Sequence, residues 1–260
     1  MHNQSNFRLL VVRLGAMGDI LHALPAVTGL RSAHPEWTID WVVEPRWRAL
    51  LEAGNREQGI GNREQESGGS FSRGPAKPLV DAIHLAAVKE WARSPLSWKT
   101  VRGIGRLRSA LRAGAYDAAL DFQGAVRSAA IARLSGARRI IGEQEPREWA
   151  ARWLFNERVA TRGAHVIEQD LELASAMAGD ALAAQRPLLP VDLAAEAWCD
   201  ELFRAGSERV VLINPGAGWG AKRWPPERYA QVARRLVQRG LRVLVNAGPG
   251  EEPLARIVAG

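Results

Sequence analysis

The clearest pattern in the chain is a short apolar run followed by a glycine-containing turn and a helical repeat of apolar positions. Residues 9–12 are aliphatic without a polar interruption, which is typical of a strand buried on both faces. A turn follows at residues 15–18, and after Asp19 the apolar positions return at helical spacing. The pattern predicts a strand, a turn and a helix, the unit that begins an open α/β sheet. The apolar positions of this helix are Leu21, Leu24, Val27 and Leu30.

The same alternation of strand and helix patterns continues to the end of the chain. A linker of sequence Arg-Pro-Leu-Leu-Pro at residues 186–190 divides it. Alternating elements on both sides predict two Rossmann-like, doubly wound domains, 1–187 and 188–260. The second has about two strands, and is therefore incomplete beside a usual sheet of ~5–6 strands. Strands are predicted at 38–43, 79–88, 116–122, 138–141, 209–213 and 241–246; helices at 45–53, 98–113, 125–134, 149–155, 165–177, 194–204, 226–238 and from residue 251; the apolar stripe of helix 165–177 is Val166, Leu171, Leu173 and Ala174.

One segment departs from this alternation. Residues 54–77 are polar and rich in glycine, and the pentapeptide Gly-Asn-Arg-Glu-Gln occurs at 54–58 and again at 61–65. Such a composition buries almost no apolar surface, so the segment is predicted to be a disordered insertion on the surface.

Composition narrows the class of protein. The chain has 260 residues, 47% of them hydrophobic and one a cysteine, and it lacks both a secretory leader and an apolar run of membrane-spanning length. We therefore expect a cytoplasmic protein without disulfides. The net charge of +7 favours acidic partners such as phosphates or anionic lipid. A nucleic-acid partner is not expected, because the arginines are spread along the chain.

Asp19 has two interpretations. Aspartate is a favoured N-cap residue, so its position at the start of a helix has a purely structural explanation. The carboxyl ends of the strands are also where ligands bind in open α/β sheets, and a carboxylate there can act as a general base towards a hydroxyl group.

A second turn, at residues 214–225, has the sequence NPGAGWGAKRWP. Its glycines, including Gly216 and Gly218, let backbone N–H groups approach an anion, and Lys222 and Arg223 add charges suited to a diphosphate. It is not a P-loop, because no serine or threonine follows the lysine. An ordinary loop with exposed cations is the alternative. Glu251, after a Gly-Pro turn, is a candidate to accept hydrogen bonds from ribose hydroxyls.

Other chemistries lack a signature. The histidines, His165 among them, and Cys199 do not have metal-ligand spacing, so no metal site is predicted. There is no G-x-G-x-x-G fingerprint and no nucleophile motif of the G-x-S-x-G type.

Four stretches together resemble the heptosyltransferases of glycosyltransferase family 9, which build the inner core of lipopolysaccharide. They read VVRLGAMGDILHALPA at 11–26, DWVVE at 40–44, YDAALDFQGAVRSA at 116–129 and NPGAGWGAKRWPPERYA at 214–230. The second and third resemble heptosyltransferase I more than heptosyltransferase II, whereas the last is shared more widely. Apart from the insertion, the resemblance runs nearly from end to end.

The resemblance implies a GT-B architecture, an α/β fold in which an N-terminal acceptor-binding domain faces a C-terminal nucleotide-sugar-binding domain. It implies transfer of heptose from ADP-heptose, with inversion, to the 3-deoxy-octulosonic acid of lipid A-linked inner core, with no separate cofactor. It also implies peripheral contact with the inner face of the cytoplasmic membrane.

The resemblance assigns roles residue by residue. Asp19 matches the catalytic base, Lys222 the lysine on the donor phosphates and Glu251 the acid near the ribose. Gly216, Gly218 and Arg223 belong to the same donor site. Lys89 and Arg93 fall where the family carries cations for the acceptor phosphates, although Glu90 and Ala92 replace further expected cations. Arg13, Gln123 and His165 complete the predicted acceptor side.

One feature of the family is absent from this sequence. The family continues past the position of Gly260 with a D-[ST]-G-x-x-H-x-A loop that helps hold the diphosphate. We therefore expect a C-terminally truncated heptosyltransferase, and the alternative is a remnant that binds nucleotide or acceptor lipid without turnover.

Overall fold

The first unit of the chain, Met1–Asp192, is built around a single parallel sheet. The computed structural model describes residues 7–52, 78–187, 189, 192–204, 209–217 and 220–260. Two short 3₁₀ helices cover Pro45–Leu50 and Trp149–Leu154. The strands are β1 Arg8–Val12, β2 Thr38–Val43, β3 Ala82–Leu85, β4 Ala118–Asp121, β5 Arg139–Glu143 and β6 Glu157–Val159; the helices are α1 Met17–Ala33, α2 Val88–Arg93, α3 Trp98–Ala113, α4 Val126–Ser135 and α5 Val166–Ala178.

The six strands lie in the order β3-β2-β1-β4-β5-β6, and every neighbouring pair is parallel. This is the strand order of a Rossmann fold. The chain moves outward from β1 through α1 in one direction and from β4 through α4 in the other. Since crossovers are right-handed, the two helices cover opposite faces of the sheet. The order therefore reverses between β1 and β4, and the carboxyl ends of these two strands mark the switch point.

Two apolar layers stabilise this arrangement, one on each face of the sheet. Alternate residues of β1 point to opposite faces, so that Leu9 and Val11 pack with α1 and α5 while Leu10 and Val12 pack beneath α3 and α4. All four are fully buried. This explains why the strand appears in the sequence as a continuous apolar run.

Asp40, the acid of the DWVVE motif, has a structural partner. The Tyr116 hydroxyl donates a 2.6 Å hydrogen bond to Asp40 Oδ2, and His84 Nε2 lies 2.8 Å from the same hydroxyl. Burial disfavours ionisation of Asp40, but the hydrogen bonds from His84 and Tyr116 outweigh it and hold the pKa below its usual value. The network ties β2, β3 and the start of β4 together beneath α3.

Arg31 joins α1 to the edge of the sheet through a buried ion pair. Its side chain is inaccessible to solvent; Nη2 donates to Asp81 Oδ2 at 2.5 Å and Nη1 to Trp37 O at 2.7 Å. The Asp81 carboxylate also accepts the Ile39 N–H at 2.8 Å. Residues 79–81 are therefore occupied by this contact, which is why the strand predicted at 79–88 is only β3, Ala82–Leu85.

We expect Arg31→Met to destabilise the first unit by about 3 kcal/mol, because it leaves the Asp81 carboxylate and the Trp37 carbonyl without their cation. Urea unfolding measures the loss. Arg48→Met is the matched control: Arg48 pairs with Glu52 at 2.6 Å but is 53% exposed, and exposed pairs contribute about 0–1 kcal/mol. Equal losses in the two variants would contradict the role of Arg31.

The second unit, Leu193–Gly260, carries a parallel pair of strands among its described residues. Ile213, Ala233 and Val258 form its small core. Leu212 on the first of these strands is 58% exposed. The elements are α6 Leu193–Arg204, β7 Val210–Ile213, a 3₁₀ turn Gly220–Lys222, α7 Pro226–Gln238, β8 Arg242–Val245 and α8 Glu252–Ala259.

Several sequence predictions differ from the structure. The short helices predicted at 45–53 and 149–155 are 3₁₀ turns ending at Leu50 and Leu154, and β6 was not predicted at all. In α5 the stripe is shifted, because Val166 is 41% exposed whereas Asp170, Leu173, Ala174 and Met177 are buried. The repeat at 54–77 lies outside the described residues.

Candidate active site

The carboxyl ends of β1 and β4 bring together two short loops at the switch point. Residues 13–16 follow β1 and residues 122–125 follow β4, and the Leu14 N–H donates a 2.8 Å hydrogen bond to Gln123 Oε1. The turn after β1 runs close to its neighbours, because a Cβ on Gly15 would lie 2.8 Å from Trp47 Nε1. Ligands of open α/β sheets bind at such a position.

Asp19 is oriented at this edge by two contacts. Its Oδ2 accepts a hydrogen bond from the Ala16 N–H at 2.9 Å, and Oδ1 lies 3.6 Å from Arg13 Nη2. The side chain is 38% exposed, so it is accessible to a ligand. The structural interpretation of Asp19 as the N-cap is wrong in detail: α1 begins at Met17, Ala16 is the N-cap, and Asp19 is the third helical residue.

Arg13 is the buried cation of the site. It is 7% exposed, its Nη1 donates to the Phe122 carbonyl oxygen, and its own carbonyl accepts the Trp41 Nε1–H at 3.0 Å. Arg13 thus connects the loops after β1 and β4, and its buried guanidinium lies beside the Asp19 carboxylate. The family resemblance assigned Arg13 to the acceptor side, and in the structure its guanidinium contacts the Phe122 carbonyl and lies 3.6 Å from Asp19.

Asp121 shapes the loop after β4. Its Oδ1 accepts the N–H groups of Gln123 at 2.7 Å and Gly124 at 3.1 Å. Gly124 has φ +61°, and a Cβ there would lie 2.9 Å from Arg147 N, so only glycine fits this turn. Burial raises the pKa of Asp121 to about 6, although the backbone donors and Arg13 oppose the rise. Gln123 is 7% exposed, and its oxygen is engaged by Leu14.

Two further acids near Arg13 were not predicted. Glu143 ends β5, and burial raises its pKa although Arg13 opposes the rise. Asp170 is 4% exposed on α5, and its Oδ2 has no hydrogen-bond partner among the described residues. Burial raises the pKa of Asp170 to about 7; Arg13 opposes the rise, while Glu143 and Asp19 add to it. The charge of Arg13 therefore opposes the effect of burial on the pKa of all three acids, Asp121, Glu143 and Asp170.

The raised pKa of Asp170 makes a prediction about stability and pH. The folded protein keeps a proton on Asp170 between about pH 4 and pH 7, whereas the unfolded chain has lost it. Ionisation therefore favours the unfolded chain, and the free energy of unfolding falls as the pH rises through this window. Asp170→Asn cannot ionise. We therefore expect the free energy of unfolding of the variant, relative to the wild type, to rise by about 3 kcal/mol between pH 4.5 and pH 8.

Urea unfolding at several pH values measures this difference. Any change in packing caused by the amide is independent of pH and cancels in the comparison. Glu172→Gln, at a half-buried position of the same helix, is the control for replacing a carboxyl group by an amide. A difference between Asp170→Asn and wild type that stays constant with pH would contradict the assignment.

The remaining residues predicted for the acceptor are exposed. Lys89 and Arg93 lie on the short α2 that follows β3, and His165 is the N-cap of α5. A side chain of α5 holds the loop that precedes this helix, because the Arg162 N–H donates to Glu172 Oε2 at 2.6 Å. These three side chains are therefore free to meet a ligand, unlike Arg13 and Gln123.

In the second unit, Gly216 and Glu251 are brought together by the parallel pairing of β7 and β8. A Cβ on Gly216 would overlap Glu251 Oε2, so the glycine lets this carboxylate lie directly against the backbone. Glu251 Oε2 also accepts the Gly248 N–H at 3.1 Å. Beside them, Asn246 Nδ2 donates to Asn214 Oδ1 at 2.8 Å. The two strand ends thus form one polar edge.

Lys222 and Arg223 follow Gly216 in the same connection. Lys222 is exposed at the end of the 3₁₀ turn, whereas Arg223 Nε donates to the Ala217 carbonyl at 2.8 Å and shapes the loop. Lys222 is thus the more available cation for a ligand. Gly218, predicted to belong to the same site, lies outside the described residues.

Two features are absent from the residues that the structure describes. Among those residues there is no cluster of three or more histidine, cysteine, aspartate or glutamate side chains able to hold a metal ion. None of the described helices combines the length and the apolar character that crossing a bilayer requires.

Comparison with known families decides what kind of protein carries these sites. The family model described as "Glycosyltransferase family 9 (heptosyltransferase)" matches residues 104–260. The chain belongs to glycosyltransferase family 9. It is therefore a glycosyltransferase of the heptosyltransferase type. The matched region contains the loop after β4, Glu143, Asp170 and the whole second unit.

Curated relatives extend the similarity over the first unit. The chain is 28% identical to lipopolysaccharide heptosyltransferase 1 of Escherichia coli K12 over 97% of its length and 72% of that protein. It is 26% identical to the protein of the same name from Pseudomonas aeruginosa, covering 97% of this chain and 65% of the relative. The similarity therefore includes the region of Arg13 and Asp19.

A solved structure supports the same family and fold. Heptosyltransferase WaaC of E. coli, determined with ADP-2-deoxy-2-fluoro heptose, aligns with a TM-score of 0.73 at 26% identity, covering 97% of this chain and 73% of that one. The fold class is GT-B, as the family resemblance implied.

Proposed function

We propose that this chain transfers heptose from ADP-heptose to the 3-deoxy-octulosonic acid of a lipid A-linked acceptor, with inversion. The observation that carries the proposal is Asp19: a carboxylate fixed by Ala16 and Arg13, yet open to solvent, at the switch point of a family 9 glycosyltransferase. The relatives are lipopolysaccharide heptosyltransferases, which supports the same reaction class.

In the proposed reaction, Asp19 removes the proton from the acceptor hydroxyl as its oxygen attacks the anomeric carbon of heptose. The bond from that carbon to the diphosphate breaks on the opposite face, so the anomeric configuration inverts and ADP leaves. Arg13 acts as a positioning residue, because it holds Oδ1 of Asp19 from within the protein. Gln123 fixes the neighbouring loop through Leu14.

We assign donor binding to the polar edge of the second unit. Glu251, placed against Gly216, is suited to accept hydrogen bonds from the ribose hydroxyls. Lys222 is an exposed point charge suited to stabilise the departing diphosphate. Arg223 and Gly218 belong to the same proposed donor site. The WaaC complex with an ADP-heptose analogue supports this donor, and we propose that no separate cofactor takes part.

We assign the acceptor to the first unit, with 1–187 as the acceptor-binding domain and 188–260 as the donor-binding domain. Lys89 and Arg93 provide exposed cations for acidic groups of the acceptor, and His165 adds a polar contact at the start of α5. Because this acceptor is anchored in lipid, we place the reaction at the cytoplasmic face of the inner membrane.

The anomeric configuration of the product and the amount of ADP released together test the proposal. We expect proton NMR of the product to show an anomeric configuration opposite to that of ADP-heptose, with ADP released in equal amount. A product that retains the donor's configuration would refute inversion. Binding of ADP without any transfer would favour the alternative, a protein that binds nucleotide without turnover.

A further inference from the structure

The first unit exposes an unusual set of tryptophan and aliphatic side chains on one side of its sheet. Among its described residues, every exposed tryptophan lies on the α3 and α4 side. The largest exposures are Leu96 at 94%, Trp98 at 76%, Trp153 at 66% and Trp149 at 63%. We call these side chains, with Val101 and Val126, the tryptophan surface.

The fold places the tryptophan surface next to the proposed acceptor site. Helix α3 leads into β4 and α4 follows it, so both helices run antiparallel to the strands and begin at their carboxyl ends. Leu96, Trp98 and Val126 stand at those helix starts. The surface therefore adjoins the edge of the sheet that carries Asp19.

Hydrogen bonds also place Trp149 at this edge of the sheet. The Glu148 N–H donates to the Gly124 carbonyl at 2.8 Å, and the Val126 N–H donates to Glu148 Oε2 at 2.8 Å. Trp149 follows Glu148 directly, so it lies beside the loop after β4. The Trp149 and Trp153 rings meet edge to face at 5.7 Å between centroids.

Cations surround these apolar side chains. The Arg152 guanidinium lies 5.6 Å and 5.8 Å from the Trp149 and Trp153 ring centroids, and its Nε has no hydrogen-bond partner among the described residues. In the segments that carry these side chains, 88–102, 126–127 and 145–153, basic residues outnumber acidic ones: Lys89, Arg93, Lys99, Arg102, Arg127, Arg147 and Arg152 against Glu90, Glu145 and Glu148.

Tryptophan beside arginine is the combination that favours the interface between a bilayer and water. The indole ring partitions to the headgroup level, and cations are attracted to anionic lipid. A dry protein interface fits less well, because so many charges around the apolar residues would have to be desolvated. Charge complementarity thus selects an anionic membrane as the occupant.

We propose that the tryptophan surface binds the anionic headgroup layer of a lipid bilayer and thereby sets the switch-point edge of the first unit against it. This inference rests on the proposed function, since a lipid-anchored acceptor would then be presented at the edge that carries Asp19. No apolar helix needs to enter the membrane.

Cosedimentation of the full chain with vesicles tests the proposal. We expect binding to vesicles of phosphatidylethanolamine and phosphatidylglycerol at least tenfold tighter than to phosphatidylcholine vesicles, with binding weakened by salt. Trp149→Ser/Trp153→Ser should lower the affinity for anionic vesicles at least tenfold. Trp198→Ser, which removes a tryptophan 62% exposed in the second unit, is the matched control and should bind as wild type.

A second assay separates membrane binding from the proposed function. Transfer to an acceptor stripped of its acyl chains should be unchanged within twofold in the double variant. Wild-type protein that does not bind anionic vesicles would overturn the proposal, whether or not it transfers heptose. Loss of transfer to the soluble acceptor in a folded double variant would also overturn it, by making these tryptophans part of the acceptor site.

Discussion

Asp19→Asn is expected to lower the rate of heptosyl transfer about 10³-fold while leaving the protein folded. The amide oxygen can still accept the Ala16 N–H, so the start of α1 is preserved. What the variant loses is the carboxylate that takes the proton from the acceptor hydroxyl, and positioned general bases contribute about 10²–10⁴-fold to rates. Transfer assays at saturating substrate, with thermal unfolding of the same preparation, measure both effects.

Glu168→Gln is the matched control for this variant. Glu168 is the third residue of α5 and receives the His165 N–H at 3.1 Å, the same position and contact that Asp19 has in α1. Its substitution should change transfer less than threefold. If Asp19→Asn loses no more activity than Glu168→Gln, Asp19 is a capping residue and not the base.

Lys222→Met is expected to reduce kcat/KM for ADP-heptose by about 10²-fold to 10³-fold. Methionine keeps most of the aliphatic stem but removes the charge that we assign to the diphosphate, and loss of one such stabilising group costs about this much. Because the diphosphate gains charge as it leaves, kcat should fall as well as affinity. Steady-state kinetics, with calorimetric titration of ADP, separate the two contributions.

Arg235→Met provides the comparison for Lys222. Arg235 is a second exposed cation of the same unit, in the last turn of α7 and away from the strand ends. Its removal lowers the net charge equally but should leave kcat/KM within twofold. A Lys222 variant with wild-type kinetics would exclude the proposed contact with the diphosphate.

Much of the fold follows from local pattern. β2, α3 and α7 have the bounds that the sequence predicted, because apolar periodicity and terminating residues agree there. The strand at 79–88 was predicted too long because Asp81 is used by Arg31, a contact between residues 50 positions apart. β6 escaped prediction because its three residues carry two charges and are stabilised by pairing with β5.

The proposed site was predictable where residues follow strands. The sequence pattern placed Asp19 at the strand ends, whereas Arg13 and Gln123, which follow β1 and β4, were assigned from the family resemblance, and their burial was not foreseen. Glu143 carried the same signal at the end of β5 and was overlooked. The signal for Asp170 is its position in the helical repeat. It lies one turn before Leu173 and Ala174, and is therefore a carboxyl group on the buried stripe of α5.

The two interpretations of Asp19 prove compatible. One oxygen of the carboxylate accepts the Ala16 N–H at the start of α1, and its other oxygen lies near Arg13 at the switch point. A capping contact therefore fixes the orientation of the carboxylate that we propose as the base. Sequence alone could not reveal this, because it depends on which residue begins the helix.

The most direct test of this account is a transfer assay on the unmodified chain. The protein is incubated with ADP-heptose and a de-acylated acceptor that carries 3-deoxy-octulosonic acid. The mass of the acceptor is then measured by mass spectrometry. The account predicts a product heavier by one heptosyl unit and an equal amount of ADP. An acceptor of unchanged mass, with protein that is folded and binds ADP, would contradict it.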